Sequence, residues 1–173
     1  MDKDKKEIYI SYAKVRKRVK ELANRINRDY KDKTPTFIGI LNGAFIFLSD
    51  LIKELKIDCE IDFLKLSSYG NKKISSGRVT LLKSLNCEIE GRDIIVVEDI
   101  IDSGLSIKYI KNIIEENNPK SLRFATLLYK KDVAKLDFKI DYIGFKIANK
   151  FVIGYGLDYA QKYRNLKGIF VLK

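Results

Sequence analysis

The sequence predicts an α/β fold, a central mostly parallel sheet flanked by helices with a small hood, and three observations carry that expectation. Ile94 to Val97 is a β-branched apolar run of the kind that fills a strand buried on both faces. A polar string follows it, and then Leu105, Ile107, Tyr109, Ile110, Ile113 and Ile114 recur at helical spacing. The same succession of strand, turn and helix occurs earlier, at Phe37 to Leu41, Asn42-Gly43 and Phe45 to Leu55, and such alternation is the signature of a parallel sheet. With 173 residues, 46% of them hydrophobic, and no composition shift, one domain is expected. Its core is placed at about 34–145, and its hood in the N-terminal segment and about 146–173.

Taken in order, Glu7 to Ser11 reads as a short edge strand, with Ser11 as a helix cap. Val15, Val19, Leu22 and Ile26, spaced four, three and four apart, give the following helix one apolar stripe to about Arg28. Lys14, Arg16, Lys17, Arg18, Lys20, Arg25 and Arg28 are assigned to its solvated face. After Pro35 comes the Phe37 to Leu41 strand, broken at Asn42-Gly43, a turn that its place after a strand also makes a ligand-loop candidate. Cys59 to Lys65 alternates Cys59, Ile61 and Phe63 against Glu60, Asp62 and Leu64, a strand with one more polar face. Ser67 to Arg78 has almost no apolar content and two glycines, so it is expected as a mobile excursion, a lid or a plain surface loop. Val79 to Leu82 pairs back as a hairpin arm, and Asn86 to Arg92 leads into the central strand. The helix after that strand stops near Asn117-Asn118-Pro119, and Ser121 to Tyr129 is another apolar strand. Tyr142 to Phe145, Phe151 to Ile153 and Ile169 to Leu172 read as short strands among irregular polar segments, part of the expected hood.

The string after Val97 carries the chemistry. Glu98, Asp99 and Asp102 put three carboxylates into a strand-to-helix turn, at the end of a sheet where open α/β folds bind ligands. Ser103, Gly104, Leu105 and Ser106 present backbone N–H groups and two hydroxyls at a helix N-terminus, a nest for a phosphate. Acceptors for vicinal hydroxyls beside a phosphate nest describe a ribose 5-phosphate. The plainer reading, a helix cap at Asp102 or Ser103 beside solvated Glu98 and Asp99, accounts for one carboxylate better than for the whole string.

Composition removes other classes. There is no histidine, and the two cysteines, Cys59 and Cys87, lack metal-site spacing, so a zinc site or an imidazole triad is not expected and a general base must be another group. No apolar run approaches the roughly 20 residues of a spanning helix. The charged first residues lead into no apolar stretch, so the expectation is a soluble cytoplasmic protein without a membrane partner. The net charge of +11 raises a nucleic-acid reading. The basic excess lies in residues 1–33 and 120–173, however, while 34–119 is slightly acidic, so a solvated helix face and a field for a polyanionic small substrate are the preferred accounts.

Arg92-Asp-Ile-Ile-Val-Val-Glu-Asp-Ile-Ile-Asp-Ser-Gly104 closely resembles the phosphoribosyl pyrophosphate motif of type I phosphoribosyltransferases, in the form of the hypoxanthine phosphoribosyltransferase branch. Ile40-Leu-Asn-Gly-Ala-Phe45, Leu66-Ser-Ser-Tyr-Gly70, Leu127-Leu-Tyr-Lys130 and Lys150-Phe-Val-Ile-Gly-Tyr-Gly-Leu-Asp-Tyr159 follow that family's order from about Ile8 to Leu172. The resemblance implies the type I phosphoribosyltransferase fold and purine salvage: transfer of the 5-phosphoribosyl group from phosphoribosyl pyrophosphate to hypoxanthine or guanine, giving IMP or GMP and pyrophosphate. It implies that Asn42, Gly43, Ser68, Tyr69 and Arg164 meet pyrophosphate, although the family commonly has Lys where Asn42 stands. Lys130, Phe151, Val152 and Asp158 meet the base. Glu98, Asp99, Asp102, Ser103, Gly104, Leu105 and Ser106 hold the phosphoribosyl group, with Asp102 as proton acceptor at purine N7. Mg²⁺ is the implied cofactor, on Glu98, Asp99 and Asp158, whose hard oxygens suit it. A homo-oligomer, dimer or tetramer, is expected. The family's Pro and Ala, where this chain has Ala148 and Gly156, are departures expected to loosen the hood. A ligand-responsive nucleic-acid-binding regulator on the same core is the alternative.

Overall fold

The computed structural model of the chain describes residues 6–68 and 79–172. In chain order they form β1 (Lys6–Ile10), α1 (Tyr12–Asp29), β2 (Thr36–Leu41), α2 (Phe45–Lys53), β3 (Glu60–Ser68), β4 (Val79–Lys83), β5 (Asp93–Ile101), α3 (Leu105–Glu115), β6 (Ser121–Tyr129), β7 (Tyr142–Lys146), β8 (Val152–Ile153) and β9 (Ile169–Leu172). Six strands make the main sheet in the order β4-β3-β2-β5-β6-β7. All neighbours in it run parallel except β4, which turns back antiparallel on β3. A second, antiparallel sheet, β1-β9-β8, is the hood.

The alternation along β5 shows why its residues are there. Ile95 and Val97 enter a hydrophobic cluster with α1 and α2, while Ile94 and Val96 enter another with α3, so a strand fully buried on both faces has to be apolar throughout. Fully burying one such side chain contributes roughly 1.5–3 kcal/mol, which makes this strand the centre of stability. Val15, Val19, Leu22 and Ile26 of α1 are buried, as their spacing requires, and Ser11 Oγ accepts the Lys14 amide at 3.4 Å to start the helix.

Four local expectations are corrected. β5 runs beyond its apolar stretch to Ile101, so Glu98 and Asp99 belong to the strand and not to the turn; the ladder to β6 continues through Glu98 opposite Thr126 and Ile101 opposite Tyr129. On β3 the side that reads as more polar is the more buried. Asp62 is 8% exposed and Ile61 42%, because the Asp62 carboxylate accepts the amides of Phe63 (2.7 Å), Asn86 (2.6 Å) and Cys87 (2.9 Å). Arg18 and Arg25 are not simply solvated: Arg18 donates to the carbonyls of Gly144 at 2.8 Å and Ile143 at 3.1 Å, and Arg25 to that of Asp141 at 3.0 Å, pinning α1 to β7. β7 is an edge strand of the main sheet, and the expected rhythm fails before it because residues 130–141 cross from β6 without a helix. Ser67 and Ser68 end β3, paired with Thr80 and Val79, and the remainder of the expected excursion lies outside the described residues.

Candidate active site

At the carboxyl ends of β2 and β5 lies a cavity of about 240 Å³, lined by Ile40, Leu41 and Gly43 on one side and by residues 98–104 and Ser106 on the other. α3 opens onto it with no side-chain cap. Gly104, in the N-cap position, has φ 89°, where any other side chain is strained, and a Cβ there would also come within 2.7 Å of Leu136 Cδ2. Ser103 Oγ instead accepts the Leu105 amide at 3.4 Å. Gly104, and not Asp102 or Ser103, thus holds the N-cap position, and the positive end of the helix faces the cavity with one of its amides taken by Ser103.

Glu98 and Asp99 sit at the floor. Glu98 accepts the Asp99 amide at 3.2 Å and Asp99 that of Ile100 at 2.9 Å. Both carboxyls are pushed up from the ordinary range, Glu98 the more strongly. Burial is the first cause for each, and the Asp99 charge adds to it at Glu98. Gly43 lies directly on the Asp99 carboxylate, where any Cβ would collide, and its own carbonyl oxygen fills the space a side chain at Gly156 would need. Gly156, at φ 101°, thus permits a close approach, which corrects the expectation that glycine loosens the hood here.

A second cavity of about 230 Å³ is lined by Asp99, Ile100, Asp102, Lys130, Phe151, Val152, Leu157 and Asp158. It shares Asp99, Ile100 and Asp102 with the first, so these residues stand between two compartments. Lys130 is 6% exposed; its Nζ donates to Asp102 Oδ2 at 2.7 Å and to Asn149 Oδ1 at 3.3 Å. Phe151 is 54% exposed and meets Tyr159 edge to face, with centroids 5.8 Å apart. Asp158 accepts the Gln161 amide at 2.8 Å and Arg164 Nη2 at 2.9 Å, while Arg164 Nη1 donates to the Gly156 carbonyl at 2.8 Å.

The structure gathers Gly43, Glu98, Asp99, Asp102, Ser103, Gly104 and Ser106 around the first cavity, and Lys130, Phe151, Val152 and Asp158 around the second. Leu105 turns a half-exposed side chain away, Asn42 lines neither cavity, and Arg164 reaches the site through Asp158, Gly156 and its charge on Asp99. Ser68 is placed by its backbone in β3, and Tyr69 lies outside the described residues. Among the described residues, no three carboxylate, thiol or imidazole groups converge, so Glu98, Asp99 and Asp158 do not close a protein-only metal cage. Sequence reasoning missed Asn149, Leu157, Tyr159 and Gln161. The nearness of Asn149 to Phe151, and the places of Leu157 and Tyr159 on either side of Asp158, are the signals that pointed to them.

This geometry has known counterparts. Residues 8–160 match the phosphoribosyl transferase domain family. Across all 173 residues the chain is 46% identical to the hypoxanthine-guanine phosphoribosyltransferase of Bacillus subtilis (strain 168), covering 96% of that protein. The Streptococcus thermophilus (strain CNRZ 1066) enzyme of the same name is 39% identical over the whole chain and 96% of its own length. A crystal structure of a hypoxanthine-guanine phosphoribosyltransferase from Bacillus anthracis superposes with a TM-score of 0.92 at 43% identity, covering 99% of this chain and 100% of that one. The main sheet, its open turn after β5 and the hood are thus those of a known architecture, and the chain belongs to the phosphoribosyl transferase domain family, on its hypoxanthine-guanine phosphoribosyltransferase branch.

Proposed function

We propose that this chain is a purine-salvage transferase that moves the 5-phosphoribosyl group of phosphoribosyl pyrophosphate to N9 of hypoxanthine or guanine, releasing pyrophosphate and forming IMP or GMP. The observation that carries this reading is the buried Lys130 ammonium, 2.7 Å from the Asp102 carboxylate where the two cavities meet. An ammonium has donors and no acceptor, so beside purine position 6 it satisfies an oxo group and opposes an amino group. The Val152 and Asp158 main chain is assigned to position 2, where carbonyls accept from guanine's amino group and repel xanthine's oxygen. Phe151 offers its exposed ring to the purine face.

In the transfer, the N9–C1′ bond forms as the bond from C1′ to pyrophosphate breaks, and the N7 proton passes to Asp102. The N-terminus of α3, with Ser103, Gly104 and Ser106, receives the 5′-phosphate. Glu98 and Asp99 accept from the ribose hydroxyls. The Asn42–Gly43 loop, Arg164, Ser68 and Tyr69 are assigned to pyrophosphate. The donor set fits Mg²⁺: two buried carboxyls, with the Asp99 charge adding to the cost of burial at Glu98, gain from a divalent cation, and this ion characteristically uses one or two carboxylates with water and substrate oxygens. Of Glu98, Asp99 and Asp158, one or two at a time would hold it, and when bound it would neutralise charge on the leaving pyrophosphate.

The same proposal includes a single domain with its core at about 34–145, a homo-oligomer (dimer or tetramer) and a cytoplasmic setting. Among the described residues, no helix is long and apolar enough to cross a membrane. The regulator reading loses support where Arg18 and Arg25, part of the basic stripe, are spent on the carbonyls around β7. The test is pyrophosphate release from phosphoribosyl pyrophosphate with each purine base. Hypoxanthine and guanine are expected to react, xanthine weakly, adenine not at all, and Lys130→Met is expected to compress that preference. Equal use of adenine and hypoxanthine refutes the role of Lys130, and full activity in excess chelator refutes the Mg²⁺ requirement.

A further inference from the structure

Gly154, Tyr155 and Gly156 lie in succession in the left-handed region, at φ 95°, 52° and 101°. Glycine adopts that conformation freely, whereas tyrosine does so only where surrounding contacts hold it. The backbone of this turn is fastened inside the hood, with Tyr155 N donating to Leu166 O at 2.7 Å and Gly156 N to Arg164 O at 3.0 Å. The phenol leaves the hood altogether. It is 2% exposed and donates to Asp50 Oδ2 on α2 at 2.7 Å, while Asp50 Oδ1 is engaged by Lys53 Nζ at 3.2 Å. Burial first, and then Asp50, push the phenol's ionisation up, so it remains a donor.

The two ends of this hydrogen bond belong to different halves of the site. α2 starts at Phe45, directly after the Asn42–Ala44 loop, and Gly43 of that loop lies on the Asp99 carboxylate. The hood turn presses Gly156 onto the Gly43 carbonyl and leads into Leu157 and Asp158 of the second cavity. We infer that Asp50 and Tyr155 are positioning residues, whose hydrogen bond sets the spacing between the Asn42–Gly43 loop and the base-contacting hood and so keeps the pyrophosphate and purine sites in register. Neither touches substrate. The inference rests on the function proposed above, since register between two sites matters only if both are filled at once.

Tyr155→Phe, Asp50→Ala and Asp50→Asn in the full chain test it, with kcat and KM for both substrates, the pH profile and the melting temperature as readouts. Losing the hydrogen bond is expected to raise both KM values about tenfold, the order of one such bond's net worth, with kcat and the pH profile little changed. Asp50→Asn keeps an acceptor for the phenol and is expected to restore KM to near the wild-type value. Lowered melting with unchanged KM would make the contact merely structural and overturn the inference, as would Asp50→Asn behaving like Asp50→Ala. If Tyr155→Phe fails to fold, the two Asp50 variants decide. A wild-type chain without transferase activity overturns the proposed function, and this inference with it; an active wild type with unaffected variants overturns the inference alone.

Discussion

Asp102 is 54% exposed at its side chain, joined to Lys130, and the carboxylate common to both cavities that lies in the turn itself. Asp102→Asn is expected to keep phosphoribosyl pyrophosphate affinity and lower kcat by roughly 10²–10⁴-fold, the usual loss of a general base; binding and single-turnover measurements separate the two. Parallel loss of affinity and turnover would argue against this role. Asp62 has a different task. Burial disfavours its charge, yet the amides of Cys87, Phe63 and Asn86 hold its carboxyl down at about 2. A pKa below the unfolded value gives stability that is present above about pH 4 and lost as pH falls toward 2. A shift of this size corresponds to roughly 2 kcal/mol, so urea titrations are expected to show that loss in the wild type and a flatter acid limb in Asp62→Asn. The Asp102 string was legible in the sequence because its residues are contiguous and chemically unusual. Asp62 was not, because its distant partners, the Lys83 ammonium and the amides of Asn86 and Cys87, lie more than twenty residues away, and two of them are backbone groups that no pattern of side chains records.

At the scale of elements, periodicity found the strands and helices but misplaced where they end. β5 outlasts its apolar run because hydrogen bonding to β6 does not depend on side-chain polarity, so Glu98 and Asp99 gain a strand's rigidity. The start of α3 depends on one residue. Gly104→Ala would put a Cβ against the end of the Leu136 side chain, which would have to give, and would strain a left-handed φ at the helix N-terminus. We expect about 1–2 kcal/mol of destabilisation and a raised KM for phosphoribosyl pyrophosphate, with a smaller effect on the KM for the base. An unchanged KM would detach the α3 terminus from phosphate binding.

For the whole molecule, one hydrophobic cluster joins Ile10, Val152 and Ile169 of the hood to Phe37, Val97 and Leu127 of the main sheet, with α1 between them. Core and hood therefore share their apolar interior, and unfolding is expected as one cooperative transition, with calorimetric and van't Hoff enthalpies equal. Two separated transitions would mean that the hood is an independent unit. That both ends of the chain build the hood was legible in the sequence, but the shared interior was not, because the residues that meet in it lie far apart along the chain.

The bond between Lys130 and Asp102 has a consequence for errors. While the lysine holds one oxygen of the carboxylate, the proposed proton acceptor is weakened as a base, and a purine that draws the ammonium to itself would restore it. On the proposed roles, a purine without a suitable acceptor would lodge in the second cavity and meet a weaker base. Discrimination against adenine is then expected in turnover as well as in occupancy, so that a mistaken guest delays the enzyme without being converted.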